Sequence, residues 1–151
     1  MAKKSAGILL YRFSNAALQV FLVHPGGPFF AKKDLGAWSI PKGEFTDEDP
    51  LLAAKREFRE ETGIFLEGEF LALQPVRQKA GKEVYAWALE GDLDPSAIIS
   101  NTFELEWPPR SGRYQSFPEV DRGEWFDLST AREKINAAQE ALIVELKERL
   151  D

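Results

Sequence analysis

Three glutamates, Glu57, Glu60 and Glu61, have the spacing in this chain that most directly indicates chemistry. At roughly 100° per residue, an α-helix places all three within an arc of about 100°. Like charges at this spacing destabilise an isolated helix by about 0.2–0.5 kcal/mol per pair, so their clustering calls for a compensating ligand. Carboxylates favour hard cations such as Mg²⁺ or Mn²⁺, which bind phosphate oxygens and activate water. A solvated acidic face is the alternative that the spacing alone leaves open.

The residues around these glutamates carry the signals for the start and the end of one helix. Pro50 suits a first helical turn, and Asp49 before it can cap the free amides. Gly63 can end the helix in a left-handed conformation. The sequence therefore predicts a helix from Pro50 whose apolar stripe lies beside the carboxylates and consists of Leu51, Ala54 and Phe58.

The whole segment resembles the signature of the Nudix hydrolases. The matching positions are Gly43, Glu48, Arg56, Glu57, Phe58, Glu60, Glu61, Gly63 and Ile64. One departure lies in the loop before the helix, where the residues between Gly43 and Glu48 are one fewer than is usual in the family. The resemblance implies a Nudix-type α/β fold, an α/β/α sandwich with a mixed β-sheet. It extends over a single domain, residues 1–151.

The same resemblance implies roles for the site residues. Glu60 and Glu61 look like metal ligands together with the backbone carbonyl of Gly43. Glu57 looks like either a further ligand or the base for the attacking water. The implied cofactor is Mg²⁺, with Mn²⁺ as a substitute.

Three cationic or titratable residues are candidates beside the glutamates. Arg56 has a permanently charged, fork-shaped guanidinium that can hold neighbouring carboxylates, with Glu48 as its expected partner. Lys42, just before the signature glycine, can contact a phosphate or be an ordinary surface lysine. His24 is the only histidine, and we expect it in a Gly/Pro-rich loop. It can bind a phosphate there, although a structural role is favoured because the glutamates already supply a base.

A fourth carboxylate is expected from outside the helix. Glu119 lies six residues before Trp125 and resembles the distal loop glutamate that completes the metal site in many Nudix enzymes. Glu104, which alternates with apolar residues in a predicted strand, is the competing candidate. The sequence favours Glu119, because it follows Pro118 in a loop that can approach the helix.

Other loop residues offer ligand contacts of lower specificity. Trp38 is expected to pack in the core, since it lies in a strand-like run. Stacking on a nucleobase is expected from one or two of Phe29, Phe30, Trp107 and Tyr114. A cationic rim for a polyphosphate is the corresponding interpretation of Lys32, Lys33, Arg110 and Arg113.

Apolar and alternating runs predict a sheet around the signature helix. Predicted strands cover residues 6–13, 18–23, 38–40, 70–76, 84–89, 102–107 and 124–126, with hairpin turns at 14–17 and 79–82. Residues 41–43 are expected to lead into the helix. At the carboxyl end, Asp127 or Ser129 can cap one helix, and Asn136 with Gln139 forms a predicted capping box before another.

Composition excludes several classes of protein. The formal net charge of −6 disfavours non-specific binding to duplex nucleic acid. The chain has no cysteine, so disulfides, thiolate catalysis and zinc fingers are excluded. The apolar run near the amino terminus is too short for a membrane span and lacks a cleavage-like region. We therefore expect a cytoplasmic protein that binds a small phosphate-bearing molecule and does not associate with membranes.

The resemblance implies Mg²⁺-dependent hydrolysis of a phosphoanhydride bond in a nucleoside diphosphate linked to another group. The run from Trp38 to Glu44 resembles the branch that acts on dinucleoside polyphosphates, so diadenosine tetraphosphate is the first expectation. Oxidised nucleoside triphosphates, ADP-ribose and other nucleotide sugars are the alternatives. A module that binds a nucleotide without cutting it is disfavoured, because the helix glutamates are intact.

Overall fold

The computed structural model describes residues 3–151, with position 80 described by its backbone only. Strands dominate the first part of the fold and helices its end. The elements are β1 (Lys4–Ser14), β2 (Ala17–Pro25), β3 (Lys42–Phe45), α1 (Pro50–Thr62), β4 (Leu71–Ala72), β5 (Val76–Arg77), β6 (Glu83–Glu90), β7 (Thr102–Glu106), β8 (Tyr114–Pro118), β9 (Val120–Asp127), α2 (Leu128–Lys134) and α3 (Glu140–Leu150). Among these residues, no helix is both long and apolar enough to cross a bilayer.

Seven strands form one mixed sheet in the order β4-β6-β1-β2-β9, with β3 paired to β1 and β5 paired to β6. The β1–β6 pair is parallel, and the other pairs are antiparallel. The predicted turn between β1 and β2 is confirmed, with positive φ at Asn15 and Ala16, 52° and 65°. Positive φ at both central residues matches the right-handed twist of the strands. The predicted turn at 79–82 joins β5 to β6.

Alternating side chains of the sheet build one core on each face. On one face, Ile8 and Leu10 pack with Phe58 of α1. On the other face, Leu9 packs with residues of α2 and α3, including Leu142. The period of two along β1 therefore separates two helical layers. The mixed sheet between helices confirms the predicted α/β/α sandwich.

Helix α1 begins and ends where the sequence predicts. The Asp49 carboxylate accepts a hydrogen bond from the Leu52 N–H at 3.1 Å, and Pro50 occupies the first turn. At the other end, Gly63 has φ of 76°, and its N–H donates to the Arg59 carbonyl at 2.7 Å. Both caps are local, which is why the sequence alone identified them.

Three predicted segments differ in the structure because distant partners decide their conformation. Residues 38–40 form no strand; Ser39 and Trp38 make isolated bridges to Val23 and Ile135. The expected connection at 41–43 instead begins β3, which pairs with the start of β1. The predicted strand at 70–76 is split into β4 and β5, each two residues long.

The carboxyl-terminal caps are partly as predicted. Asp127 caps α2 by accepting from the Thr130 N–H at 2.9 Å. The expected capping box is wrong. Asn136 caps a single 3₁₀ turn, while the Gln139 side chain is buried and accepts from the Ile40 N–H at 3.1 Å. Gln139 therefore connects the helical layer to the segment that leads into β3.

A second, two-stranded sheet lies apart from the main one. Strand β7 pairs with β8 in antiparallel register, with Thr102 opposite Pro118. The sequence predicted β7 but not β8. From β8 the chain passes through Glu119 directly into β9 of the main sheet.

Candidate active site

The glutamate helix lies directly against the signature glycine of β3. A Cβ atom added to Gly43 would stand 1.9 Å from Oε2 of Glu57. Only glycine leaves room for this carboxylate beside the strand. The approach follows from packing, because Ala53, Ala54 and Phe58 are fully buried against the sheet and fix the rotation of α1.

Arg56 organises three of the carboxylates. Its Nε and Nη2 donate to the two oxygens of Glu48 at 2.9 and 2.6 Å, a bidentate pair. Its Nη1 donates to Glu57 and Glu60, both at 2.8 Å. These contacts, led by Glu48, raise the pKa of Arg56 above its usual range. The guanidinium is therefore charged at any working pH and holds its neighbours in place.

Glu61 is the most strongly perturbed carboxyl of the cluster. Burial, followed by the charges of Glu57 and Glu119, raises its pKa to about 8. The backbone N–H of Lys42 donates to Glu61 Oε1 at 3.3 Å, which partly offsets the effect. A carboxyl in this state holds a proton near neutral pH until a cation arrives.

Two further carboxyl groups are perturbed in the same direction. Burial raises the pKa of Glu57 and, to a lesser extent, so does the charge of Glu60. Burial and the charge of Glu60 also raise the pKa of Glu119. Neighbouring carboxylate charges therefore help to raise the pKa values of Glu57, Glu61 and Glu119, as expected for carboxylates crowded into one site.

The structure brings Glu119, and not Glu104, to the helix glutamates. Glu104 is exposed in β7 opposite Ser116. Glu119 instead lines a cavity of about 370 Å³ whose wall is formed by Ser5, Lys42, Gly43, Glu44, Glu57, Glu61, Lys82 and Glu119. Glu119 therefore lies in the same cavity as Glu57 and Glu61, whereas Glu104 does not line it.

Lys42 lies in the same cavity as the carboxylates. Burial, followed by the charge of Lys82, lowers the pKa of its ammonium group. The nearby carboxylates, led by Glu61, oppose this effect. A half-buried lysine between another cation and an acidic cluster is suited to an anionic ligand.

His24 requires a correction. It lies within β2, not in a loop, and its side chain is fully buried. Nδ1 stands 2.9 Å from Asp121 Oδ1, and Nε2 stands 2.7 Å from the Lys33 carbonyl oxygen. Both ring nitrogens therefore have protein partners, and the ring faces Trp38 at 5.2 Å between centroids. This placement contradicts a direct phosphate contact and agrees with the structural interpretation of His24.

The aromatic candidates divide into core and surface residues. Trp38 is buried, as predicted, and its Nε1 donates to Asp34 at 2.8 Å. Phe29 is exposed and packs edge-to-face on Trp107, with 5.4 Å between ring centroids. Tyr114 is exposed on β8, at the edge of the second sheet. These surface rings leave aromatic faces available for stacking.

Sequence reasoning missed a cationic cavity next to the acidic one. It measures about 1050 Å³ and shares Glu44 and Lys82 with the glutamate cavity. Its charged wall residues are Lys3, Glu44, Arg77, Lys79 and Lys82. The lysines at the predicted turn were a local signal, but their closeness to the helix glutamates depends on how β6 pairs with β1.

The donor set fits a hard divalent cation. The candidate ligands are oxygen atoms only, Gly43 leaves room at the strand, and the Ser5 hydroxyl in the cavity wall is buried with no hydrogen-bond partner in residues 3–151. In that part of the chain, no three acidic side chains are already close enough to hold one ion. Arg56 instead donates hydrogen bonds to one oxygen of Glu57 and one oxygen of Glu60. The residues thus supply suitable donor atoms but do not form a preorganised metal site.

Comparison with known families identifies the class of this protein. Residues 1–146 match the family described as the NUDIX domain, so the chain belongs to the Nudix family. It is a Nudix hydrolase, an enzyme that acts on acid anhydrides in phosphorus-containing compounds. Members of this family typically use a divalent metal. Comparison with curated protein sequences finds no significant match.

Solved structures share the fold over nearly the whole chain. A C. elegans Ap4A hydrolase in a binary complex has a TM-score of 0.66 at 23% identity, covering 99% of this chain and 98% of that one. The NUDIX domain of Shewanella oneidensis NrtR, complexed with ADP ribose, has a TM-score of 0.69 at 19% identity, with coverages of 100% and 90%. A MutT from the study of the Aliivibrio salmonicida and Vibrio cholerae proteins has a TM-score of 0.57 at 17% identity, with coverages of 95% and 94%. At these identities, the similarities show the fold.

Proposed function

We propose that this hydrolase is a Mg²⁺-dependent pyrophosphohydrolase that cleaves a phosphoanhydride bond of a nucleoside diphosphate linked to another group. Dinucleoside polyphosphates, with diadenosine tetraphosphate first, are the proposed substrates. The observation that carries the proposal is the acidic cavity at Gly43 adjoining the cationic cavity through Glu44 and Lys82.

The two cavities suit the two demands that a polyphosphate makes. The phosphates of the substrate need positive charge. One wall of the cationic cavity supplies it through Lys3, Arg77, Lys79 and Lys82. The reacting phosphate must also come close to carboxylates, which repel it unless a cation lies between. A substrate with several consecutive phosphates can reach both cavities, and this favours a polyphosphate over a nucleotide with a single phosphate.

The candidate cation ligands are Glu57, Glu60, Glu61, Glu119 and the Gly43 carbonyl. A bound Mg²⁺, or Mn²⁺ as a substitute, would neutralise phosphate charge and lower the pKa of bound water. Among the side chains, Glu57 is proposed as the base that accepts the proton of the attacking water. Its pKa is raised by burial, which brings a carboxylate closer to the operating pH of a base. Arg56 orients Glu57 through the 2.8 Å contact.

The remaining candidates are proposed to bind and orient the substrate. Lys42 would contact a phosphate oxygen from within the acidic cavity. The edge-to-face pair of Phe29 and Trp107 offers a surface for one nucleobase.

A substrate panel tests the proposal directly. Diadenosine tetraphosphate, a nucleoside triphosphate, its oxidised form and ADP-ribose are incubated with the protein and Mg²⁺ or Mn²⁺, and the products are separated chromatographically. We expect metal-dependent cleavage, fastest with the dinucleoside polyphosphate. Faster cleavage of another substrate would replace the proposed substrate class. Nucleotide binding without turnover would contradict the proposed reaction.

Substitution of the helix glutamates tests the assigned residues. Glu60→Gln or Glu61→Gln should lower turnover more than tenfold, equivalent to about 1.4 kcal/mol or more in the barrier, because the amide keeps the shape but loses the charge. The matched control is Glu148→Gln on α3, an exposed glutamate far along the chain. Melting curves check that each variant is folded. Near-parent turnover of either site variant at saturating Mg²⁺ would contradict the assignment.

A further inference from the structure

The ladder between β2 and β9 contains one extra residue next to the acidic cavity. His24 pairs with Arg122, but the next residue, Pro25, pairs with Val120. Asp121 is therefore a bulge residue without an opposite number on β2. Pro25 has no N–H to donate to the ladder, which suits it to a bulge.

Packing on β9 shows what the bulge changes. Val120 and Trp125 both pack into the core on the α1 side of the sheet. They are five positions apart, whereas regular alternation puts residues on one face only at even separations. The extra residue shifts the alternation of side chains by one position, so the Val120 side chain packs in the core. The bulge therefore also determines the backbone position of the preceding residue, Glu119.

The backbone of Glu119 is held on both sides of this point. Its N–H donates to the Asn101 carbonyl at 2.8 Å, and its carbonyl accepts from the Gly26 N–H at 3.0 Å. A Cβ atom at Gly26 would stand 1.9 Å from the Pro118 carbonyl oxygen, so the two segments are in close contact. A shift of the bulge by one residue would break these contacts and move the Glu119 carboxylate.

The buried pair of His24 and Asp121 holds the bulge residue itself. The Lys33 carbonyl can only accept, so Nε2 of His24 carries a proton and donates to it at 2.7 Å. Nδ1 faces both oxygens of the Asp121 carboxylate, at 2.9 and 3.1 Å. The ring is fully buried in the sheet, while the Asp121 side chain is 32% exposed. A rigid ring in the core thus fixes a side chain that the ladder leaves unpaired.

We propose that His24 and Asp121 are positioning residues that hold the β9 bulge and thereby keep the Glu119 carboxylate in the acidic cavity. This inference rests on the proposed role of Glu119 in hydrolysis. His24 then contributes to turnover without touching the substrate, through a bond to a residue two positions after Glu119.

The test compares Asp121→Ala with Asp121→Asn, using the best substrate of the panel. Alanine removes the hydrogen-bond partner of Nδ1, so we expect kcat to fall about threefold to tenfold with KM little changed, as for the loss of one hydrogen bond. Asparagine has both an amide oxygen and an amide N–H, so it can bond to Nδ1 whether or not that nitrogen carries a proton, and it should retain most of the parent kcat. The control is Glu124→Ala, which removes an exposed carboxylate from the regular part of the same strand. Parent-like kcat in Asp121→Ala would overturn the inference.

A double variant separates positioning from general damage to the fold. If Asp121 acts through Glu119, then Asp121→Ala should cause no further loss of kcat in a Glu119→Gln background. Full additivity of the two losses would overturn the inference. A parent-like kcat in Glu119→Gln would also overturn the inference, although the proposed hydrolytic function would still stand.

Amide exchange provides a readout that does not depend on turnover. In the protein without substrate, Asp121→Ala should accelerate exchange of the Gly26 and Glu119 amides at least threefold. The Gly26 N–H bonds to the Glu119 carbonyl beside the bulge, and the Glu119 N–H holds the same residue to the Asn101 carbonyl. Glu124→Ala should leave them unchanged. If the parent cleaves no panel substrate, the proposed function fails. Unchanged amide exchange in Asp121→Ala separately overturns the positioning role of His24 and Asp121.

Discussion

Replacement of Glu61 by glutamine should stabilise the protein in the absence of metal while abolishing turnover. Burial and neighbouring carboxylates raise the pKa of Glu61 from 4.5 to about 8. Each pKa unit corresponds to about 1.4 kcal/mol, so the full difference is equivalent to about 5 kcal/mol. Partial exposure and solvent screening reduce this figure, and we expect about 2 kcal/mol at pH 8. Glutamine keeps the oxygen that accepts from the Lys42 N–H and removes the cost of the charge.

The direction with pH follows from which state binds the proton more tightly. The folded protein keeps a proton on Glu61 at pH values where the unfolded chain has lost it. Folding stability from this group is therefore highest below pH 4.5 and falls as the pH rises towards about 8. The glutamine variant has no such dependence. The difference in stability between variant and parent should be near zero at the acid end and largest at the alkaline end.

Thermal unfolding in EDTA measures this difference. For a chain of this length, about 2 kcal/mol corresponds to a melting temperature about 4–8 °C higher for Glu61→Gln at pH 8. Saturating Mg²⁺ should raise the melting temperature of the parent more than that of the variant, because the cation binds the charged site. Glu148→Gln controls for the loss of one charge from a chain of net charge −6. A Glu61→Gln variant that melts at or below the parent at pH 8 in EDTA would refute the reasoning.

Four other substitutions test separate parts of the site. Arg56→Lys should lower kcat at least about tenfold at saturating Mg²⁺, because an ammonium cannot form the bidentate fork; parity in rate and metal requirement would make Arg56 a surface cation. Gly43→Ala should lower both turnover and melting temperature, since its Cβ would lie 1.9 Å from Glu57 Oε2; an unchanged activity would contradict that contact. Glu119→Gln should lower kcat about tenfold with little effect on melting, and Glu104→Gln should have a smaller kinetic effect; the reverse order would exchange their roles.

The sequence predicted best where structure depends on neighbouring residues. Helix α1 has its amino-terminal cap, its first-turn proline and its terminal glycine within its own segment, and all three function as expected. The spacing of the glutamates is equally local. Placing Glu57 and Glu61 beside Gly43 required the family resemblance, because the register of β3 against β1 is not encoded in either segment alone.

The sequence predicted least where a distant partner decides the structure. His24 precedes a Pro-Gly-Gly run that favours a loop, yet β2 continues through Pro25 because the bulge of β9 accommodates it. The partner of the ring, Asp121, is 97 residues away. Strand β8 is similar, since its polar residues show no clear alternation and its strand character comes from pairing with β7.

The packing of α1 against the sheet offsets the cost of crowding its carboxylates. The raised pKa values of Glu57 and Glu61 mean that, without a bound cation, the ionised carboxylates destabilise the folded protein. Phe58, between them in sequence, is fully buried, and burial of such a side chain contributes about 1.5–3 kcal/mol. The apolar face of the helix thus offsets the electrostatic cost on its acidic face. A substitution such as Phe58→Ala should therefore weaken the site indirectly, because it removes the packing that keeps the repelling carboxylates together.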